Sequence, residues 1–200
     1  MKRLVIAGAS LALAAMPVVG VFAADGNLTT TDTVQVTIDS ACSLTATGAG
    51  TYSTTLTNGT ASSDLGSTSI NIKCNDAGGW MVNAIGANTS TTAGATATDM
   101  APDAAGKTPI ATGTTLDGSV SNWAMKLTAG TGAYAPTIVE GYDDYHAVPG
   151  AANTKVASGA TTDQTTGSTF TTNYKVAVSP TQQQGTYTGK VTYTLVHPNA

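Results

Sequence analysis

Apolar and polar residues alternate along several short stretches of this chain, and the alternation predicts β-strands. Val34, Val36 and Ile38 are separated by Gln35 and Thr37, and a period of two is typical of a half-buried strand. Similar alternation predicts strands at 70–74, 80–85, 123–127 and 174–178, with a shorter one at 52–56. We expect the strand at 80–85 to be the partner of 70–74 across a turn at 75–79.

The clearest alternation lies near the end of the chain, at 187–195. One face carries Tyr187, Gly189, Val191, Tyr193 and Leu195. His197-Pro198 ends this predicted strand, because proline cannot continue the ladder of hydrogen bonds.

Two stretches lack a regular pattern. We predict 86–121 as long loops around short edge strands, and 134–160 as irregular.

The composition argues against helices. Glu140 is the single glutamate and Arg3 the single arginine, whereas Thr, Val, Ile and Tyr, which suit strands, are frequent. Alternating strands separated by Gly, Asn and Pro turns indicate an antiparallel sandwich. We therefore predict an all-β protein, an antiparallel β-sandwich formed by one domain at 34–200, with a flexible lead-in at 24–33.

The start of the chain predicts export. Lys2 and Arg3 precede an apolar run, 4–22, which ends in a small-x-small pattern at Ala23; these are the marks of a secretory signal peptide. Two alternatives stay open: an uncleaved membrane anchor, since 19 residues span about 28 Å as a helix, and a pilin-type leader cut after Gly8. We expect cleavage after residue 23 and a secreted, extracellular protein at a cell surface.

The charge balance excludes some partners. The formal net charge is −4 and would become −6 once Lys2 and Arg3 leave with the signal peptide. Such a chain lacks the cationic patch that nucleic acid requires, and the same argument applies to an anionic membrane surface. We predict no nucleic-acid partner and, after cleavage of the signal peptide, no membrane.

The chain has two cysteines, Cys42 and Cys74. In an exported protein an even number of cysteines predicts a disulfide. A metal pair and two free thiols are the alternatives, although no CxxC motif supports a metal site.

Several segments resemble known bacterial surface proteins. Cys42-Ser43-Leu44, the segment 70–75 and the closing segment 184–196 resemble the frame of spore coat U and chaperone–usher pilin proteins. The segments 122–128, 134–138 and 145–149 resemble uncharacterised secreted surface proteins of candidate-phylum bacteria. The resemblance implies an Ig-like sandwich with one disulfide near its N-terminus, and an extracellular surface protein with no assigned activity.

One polar cluster is a candidate binding loop: Tyr142, Asp143, Asp144, Tyr145 and His146. Its carboxylates, imidazole and phenols suit contact with a sugar or a protein, or with Ca²⁺. The alternative is a solvated loop whose aspartates form turn hydrogen bonds. Because the oxygens do not occur at every second residue around a central glycine, we predict no metal site.

Catalytic motifs are missing from the sequence. Only His146 and His197 could serve a hydrolase triad, and no G-x-S-x-G motif is present. Trp80 and Trp123 fall within predicted strands, so we expect them in the core rather than in a ligand groove. We predict no enzyme activity and no cofactor.

The leading hypothesis is a non-enzymatic extracellular structural or surface-assembly protein, a pilin-like or surface-layer subunit whose partner is a copy of itself. The alternative is an adhesin-type binding module that recognises a glycan or protein of a host-cell surface through loops 86–121 and 134–160. Two structural roles are possible for the segment 34–38. It forms the first strand of its own sandwich, or it adds a strand to a neighbouring copy.

Overall fold

The computed structural model describes residues 35–36, 40–48, 55–87 and 96–197. The predicted signal peptide, 1–23, and lead-in, 24–33, lie outside these residues. The chain divides into two units, 1–37 and 38–200. In the first unit Gln35 and Val36 lie outside any strand, and Val36 is 78% exposed. The strand predicted at 34–38 is therefore wrong at these two residues.

The described part of the second unit contains eleven strands and no helix. In chain order they are β1 (Cys42–Thr47), β2 (Ser63–Cys74), β3 (Trp80–Gly86), β4 (Ala101–Pro102), β5 (Ala111–Thr112), β6 (Asn122–Ala129), β7 (Thr137–Ile138), β8 (Thr154–Gly159), β9 (Ser168–Ala177), β10 (Tyr187–Thr188) and β11 (Val191–Val196). No described segment forms a helix long and apolar enough to cross a bilayer.

These strands form two larger sheets and a short ribbon. The five-stranded sheet has the order β1-β2-β9-β6-β5, the four-stranded sheet has the order β11-β3-β8-β7, and β10 pairs with β4. Every pair is antiparallel except β5 with β6.

The core lies between the two larger sheets. Ile70, Phe170 and Met125 from the five-stranded sheet join Val82 and Val156 from the four-stranded sheet in one buried cluster. Full burial of such side chains is worth about 1.5–3 kcal/mol each. Trp80 and Trp123 belong to the same cluster, as predicted. The predicted all-β, antiparallel sandwich is confirmed.

The predicted pairing of 70–74 with 80–85 is wrong. The strand at 70–74 is the end of the longer β2, whose neighbours are β1 and β9, whereas β3 pairs with β11 and β8. Because β1 and β9 occupy both edges of β2, the chain at 75–79 crosses to the other sheet. Gly79 enables this crossing with a φ of 77° and a backbone in contact with Gly159.

The predicted strand at 187–195 is interrupted. Tyr187–Thr188 pairs with β4, and Val191–Val196 pairs with β3. Between them Gly189 lies against the indole of Trp123, where a Cβ atom would come within 2.8 Å of Cη2. The chain therefore changes partner where it passes over the tryptophan.

Two loop predictions meet different outcomes. Apart from Gly86, which ends β3, the described residues of 86–121 form only the two-residue strands β4 and β5, as expected. The stretch 134–160 is not irregular throughout, since β8 is an interior strand of the four-stranded sheet. The apolar and polar residues of β8 alternate only weakly, and its pairing with β3 contains a bulge between Val82 and Asn83.

The strand predicted at 52–56 lies only partly within the described residues. Residues 55 and 56 lie outside any strand, and the rest lies outside the described residues.

Candidate functional site: an open groove and the Tyr142–His146 loop

The two larger sheets differ in how their edges are protected. One side of the sandwich ends in β5 and β7, which have two residues each; the other ends in β1 and β11, which have six each. Proteins usually blunt sheet edges by keeping them short or covered. None of the described strands pairs with the outer edge of β1 or of β11.

The main chain of β11 is oriented for further pairing. Ala87 N donates to Lys190 O at 2.9 Å, and hydrogen-bonded pairs alternate along an antiparallel ladder. Thr192, Thr194 and Val196 are therefore the residues that bond β3. The peptide groups of the alternate residues, Val191 and Leu195 among them, point toward the outer edge. The side chains of these same residues point inward and are half-buried.

An apolar groove of about 1230 Å³ lies between β1 and β11. Its lining comes from both sheets and from the segment before β10. The apolar side chains of the lining include Leu44, Leu56, Leu65, Ile70, Met100, Ile110, Trp123, Val176, Val178, Tyr187 and Val191. Among the residues that the structure describes, the sandwich is open along this side, and core residues such as Ile70 and Trp123 line the opening.

The hydroxyl-bearing residues Thr68, Tyr174 and Tyr193 interrupt the apolar lining of this groove, and Thr172, which contacts Tyr193, is fully buried. The hydroxyls of Tyr174 and Tyr193 are 2.8 Å apart, and Tyr193 Oη donates to Thr172 Oγ1 at 3.1 Å. Thr68 lines the groove and lies opposite Thr172 in the pairing of β2 with β9. We call Thr68, Thr172, Tyr174 and Tyr193 the hydroxyl band.

The predicted disulfide joins Cys42 and Cys74. The two residues face each other in the pairing of β1 with β2, with Cα atoms 4.1 Å apart. Asn75 N donates to Ala41 O in the adjacent pair, so the cysteines occupy a non-hydrogen-bonded position, where opposed side chains are closest. The disulfide therefore fastens β1, one wall of the groove, to the interior strand β2.

The candidate loop Tyr142–His146 lies along β6. Leu127 N donates to Tyr142 O at 2.6 Å, and His146 N donates to Met125 O at 2.8 Å. Tyr142 is buried, with its ring 4.7 Å from that of His146, whereas Asp143 and Asp144 are exposed. The structure thus holds all five residues in one segment, and it fixes the main chain at both ends.

Tyr145 is held by residues that sequence reasoning missed. Lys175 Nζ lies 4.7 Å from the centre of its ring and Lys126 Nζ lies 6.0 Å away. The Tyr145 hydroxyl is 3.5 Å from Asp64 Oδ1. Alternation along β6 and β9 turns both lysines outward, but only the fold shows that Tyr145 reaches them.

Burial and charge affect both tyrosines of this loop. Burial raises the pKa of Tyr142. Burial also raises the pKa of Tyr145, and the negative charges of Asp64 and Asp144 add to the effect. Both phenols therefore stay neutral near pH 7.

Within the described ranges, no three His, Cys, Asp or Glu side chains gather as a metal site would require.

The structure also brings together Asp76 and His197, which the sequence did not connect. Their Oδ2 and Nδ1 atoms are 3.3 Å apart, and the Asp76 side chain is fully buried. Gly78 N donates to Asp76 Oδ1 at 2.8 Å. This pair ties the residue that follows β11 to the turn that precedes β3.

Comparisons of the chain with family models, with curated proteins and with solved structures find no match. The resemblance to bacterial surface proteins stays a prediction.

Proposed function

We propose that this protein is a non-enzymatic, extracellular structural subunit that assembles at a cell surface with copies of itself. Assembly takes place by β-strand addition, in which one subunit inserts an extended segment into the groove of the next. The observation that carries the proposal is the coincidence of an apolar groove with the long outer edge of β11, which no described strand pairs with.

A strand suits this groove better than a compact ligand does. The Val191 and Leu195 side chains turn toward the core, while their peptide groups point to the outer edge of β11. An added strand satisfies both requirements, because its main chain pairs with the edge and its alternate side chains fill apolar pockets. A small apolar ligand would fill the groove without hydrogen-bonding the edge.

The segment that precedes β1 is the proposed donor. Leu28, Val34, Val36 and Ile38 fall at even positions, so an extended chain presents them on one face. Val36 is largely exposed and lies outside any strand in its own chain. One donor segment and one groove per subunit form a head-to-tail contact, and such contacts generate open filaments when the rotation does not close.

Two further features support an extracellular site of action. The Cys42–Cys74 disulfide is typical of proteins in oxidising compartments. The start of the chain predicts a signal peptide, and the resemblance to pilin-like surface proteins implies the same location.

Deletion of residues 24–38 from the mature protein tests the proposal. The wild type is expected to form linear polymers in electron microscopy and light scattering, whereas the deletion variant stays monomeric because it lacks the donor. Val191→Lys, which places a charge in the groove, should also prevent assembly. Val120→Ser, a change at an exposed residue outside the groove lining, serves as the matched control and should polymerise normally.

Polymers formed by the deletion variant would refute strand addition. A wild type that stays monomeric at every concentration, and that binds a glycan array through the Tyr142–His146 loop, would favour the adhesin alternative.

A further inference from the structure

The described lining of the groove carries a single charge. Lys190, which directly precedes β11, is the one charged residue among the described residues that line the groove, and it is exposed. No ion pair joins Lys190 to a carboxylate of the described residues, whereas Lys107, Lys126 and Lys175 each pair with an aspartate. The groove therefore has an unpaired cation at the end where β11 begins.

The proposed donor carries only negative charge. Residues 24–39 contain Asp25, Asp32 and Asp39 and no lysine or arginine. Opposite charges on neighbouring strands stabilise the pairing of those strands, and like charges directly opposite each other destabilise it. The charge of the donor thus complements that of the groove, and we expect one of its aspartates beside Lys190.

The faces of the two strands select Asp39 as this partner. The inward side chain of Val191 places Lys190 on the outer face of β11. On the donor, Asp39 lies on the face opposite to the apolar residues, whereas Asp32 lies on the same face as they do. Asp25 precedes Val34 by nine residues, so pairing Asp25 with Lys190 would carry the apolar run beyond β11.

We propose that an ion pair between Lys190 and Asp39 of a second copy sets the register and the direction of the docked strand. This inference rests on the proposed function. In the antiparallel direction, three apolar residues of the donor each face an inward residue of β11: Ile38 faces Val191, Val36 faces Tyr193 and Val34 faces Leu195. In the parallel direction, the same ion pair would place residues 40–45 along β11, and these residues already lead into β1 of their own subunit.

The same register keeps Asp32 out of the apolar groove. Asp32 falls opposite His197, past the end of β11. A shift of the donor by two residues in one direction would place Asp32 opposite Leu195, where an unpaired carboxylate is costly. A shift in the other direction would place Ser40 opposite Val191. The antiparallel register with Asp39 opposite Lys190 is therefore the one that matches both charge and apolar contact.

Tyr193, a member of the hydroxyl band, meets the docked strand through its ring. Its hydroxyl already bonds Tyr174 and Thr172 within the subunit. Val36 needs no polar partner at this level, and pairs of an aromatic and a β-branched residue on neighbouring strands are stabilising. The register thus makes no demand on the hydroxyl groups of the groove.

Only a second copy can supply this aspartate. In its own subunit Asp39 lies two residues before Ala41, a reach of about 7 Å. Ala41 accepts a hydrogen bond from the turn 75–79, and the same turn contacts His197, the residue after β11. Ala41 is therefore held at the end of the sandwich where β11 ends. Lys190 lies at the other end, about 20 Å away along the six residues of β11.

Peptide binding with reversed charges tests the ion pair. A fluorescent peptide that covers residues 26–39, with an amidated C-terminus, is titrated into dilute mature protein at low salt, and its affinity is read from anisotropy. Lys190→Glu in the protein should weaken binding about tenfold, because it places like charges opposite each other. An Asp39→Lys peptide should bind this variant about as tightly as the wild-type peptide binds the wild-type protein.

Lys155→Glu is the matched control for the change in net charge. Lys155 is exposed, lies on β8 and is not part of the groove lining. Its reversal should leave the affinity for the peptide unchanged. A loss equal to that of Lys190→Glu would show that the overall charge of the protein, rather than one ion pair, governs binding.

Disulfide trapping measures the register and the direction. Thr192 and Thr194 are exposed, and their peptide groups face β3, so they occupy non-hydrogen-bonded positions toward the docked strand, where opposed side chains are closest. Under mild oxidation, Thr192→Cys protein should crosslink with a Thr37→Cys peptide and not with a Gln35→Cys peptide. Thr194→Cys protein should show the reverse preference.

The outcomes separate this inference from the proposed function. If the wild-type peptide binds but Lys190→Glu leaves its affinity unchanged, or the exchanged charges do not restore it, the ion pair is wrong although strand addition stands. Crosslinks at other levels would overturn the register in the same way. If no peptide binds to the wild-type protein, strand addition itself fails.

Discussion

At the scale of single residues, Gly189 determines where the end of the chain changes partner. A side chain here would meet Trp123, whose Nε1 donates to Thr98 O at 2.8 Å and is thereby held in place. The sequence shows a glycine in an alternating strand, and such a glycine often marks a bend or a close approach. It does not show which residue approaches, because Trp123 arrives through the pairing of β6 with β9.

We expect Gly189→Ala to lower the free energy of unfolding by about 1–3 kcal/mol, since the added Cβ overlaps a fixed indole. Gly150→Ala is the control, because its added Cβ would meet only the methyl group of Thr98, at 3.2 Å. Urea unfolding of both variants measures the difference. Equal stability of the two variants would contradict the role assigned to Gly189.

Asp163 stabilises the turn that leads into β9. Its carboxylate accepts hydrogen bonds from the backbone N–H groups of Thr166 and Thr165, and these bonds lower the pKa of Asp163 below its ordinary value of 3.8. A carboxyl whose pKa is lower in the folded state contributes stability above its unfolded pKa, and this stability is lost as pH falls through the folded pKa.

Asp163→Asn should therefore cost stability at neutral pH, and the difference from the wild type should shrink as the solution is acidified below pH 3.8. Thermal unfolding of both proteins across the acid range measures this difference. A difference that stays constant down to the acid limit would show that the hydrogen bonds of this carboxylate do not contribute as described.

At the scale of elements, β1 depends on its disulfide. Only Cys42 and Leu44 of its six side chains are partly buried, so packing holds this strand weakly. The sequence predicted the disulfide because two cysteines in an exported chain leave one intramolecular pairing. It did not predict that the cysteines lie on neighbouring strands, since the strand predicted at 52–56 was placed between them.

Replacement of both cysteines by serine should lower the free energy of unfolding by roughly 3–4 kcal/mol, because the link closes a loop of about 33 residues in the unfolded chain. Guanidinium unfolding of the variant and of the wild type, each with and without reductant, measures this difference. The reduced wild type should resemble the variant. Unchanged stability, or two free thiols in protein from its native compartment, would contradict the prediction.

Local patterns predicted strands well and their partners poorly. The alternation at 70–74, 123–127 and 174–178 located parts of β2, β6 and β9. The pairing of β2 with β3 was wrong because a short turn can join strands of one sheet or of two. β8 was missed because Val156 and Ala157, its buried apolar residues, are consecutive and do not alternate.

At the scale of the whole molecule, the unequal edges are the feature that carries the functional account. β5 and β7 are too short to extend a sheet, whereas β1 and β11 are long and border an apolar groove. The sequence does not show this groove, because it arises where no described strand joins the two sheets.

The sequence predicted the candidate loop Tyr142–His146, but it did not predict the lysines that contact Tyr145.

Amide hydrogen exchange of β11 tests the central claim most directly, with assigned NMR spectra recorded with and without the peptide of residues 26–39. Thr192, Thr194 and Val196 pair with β3, so their amides should be protected in both samples. If a strand adds to the open edge, protection of the Val191 and Leu195 amides should rise about tenfold or more when the peptide binds. Exchange at Val191 and Leu195 that does not change at a saturating peptide concentration would contradict assembly by strand addition.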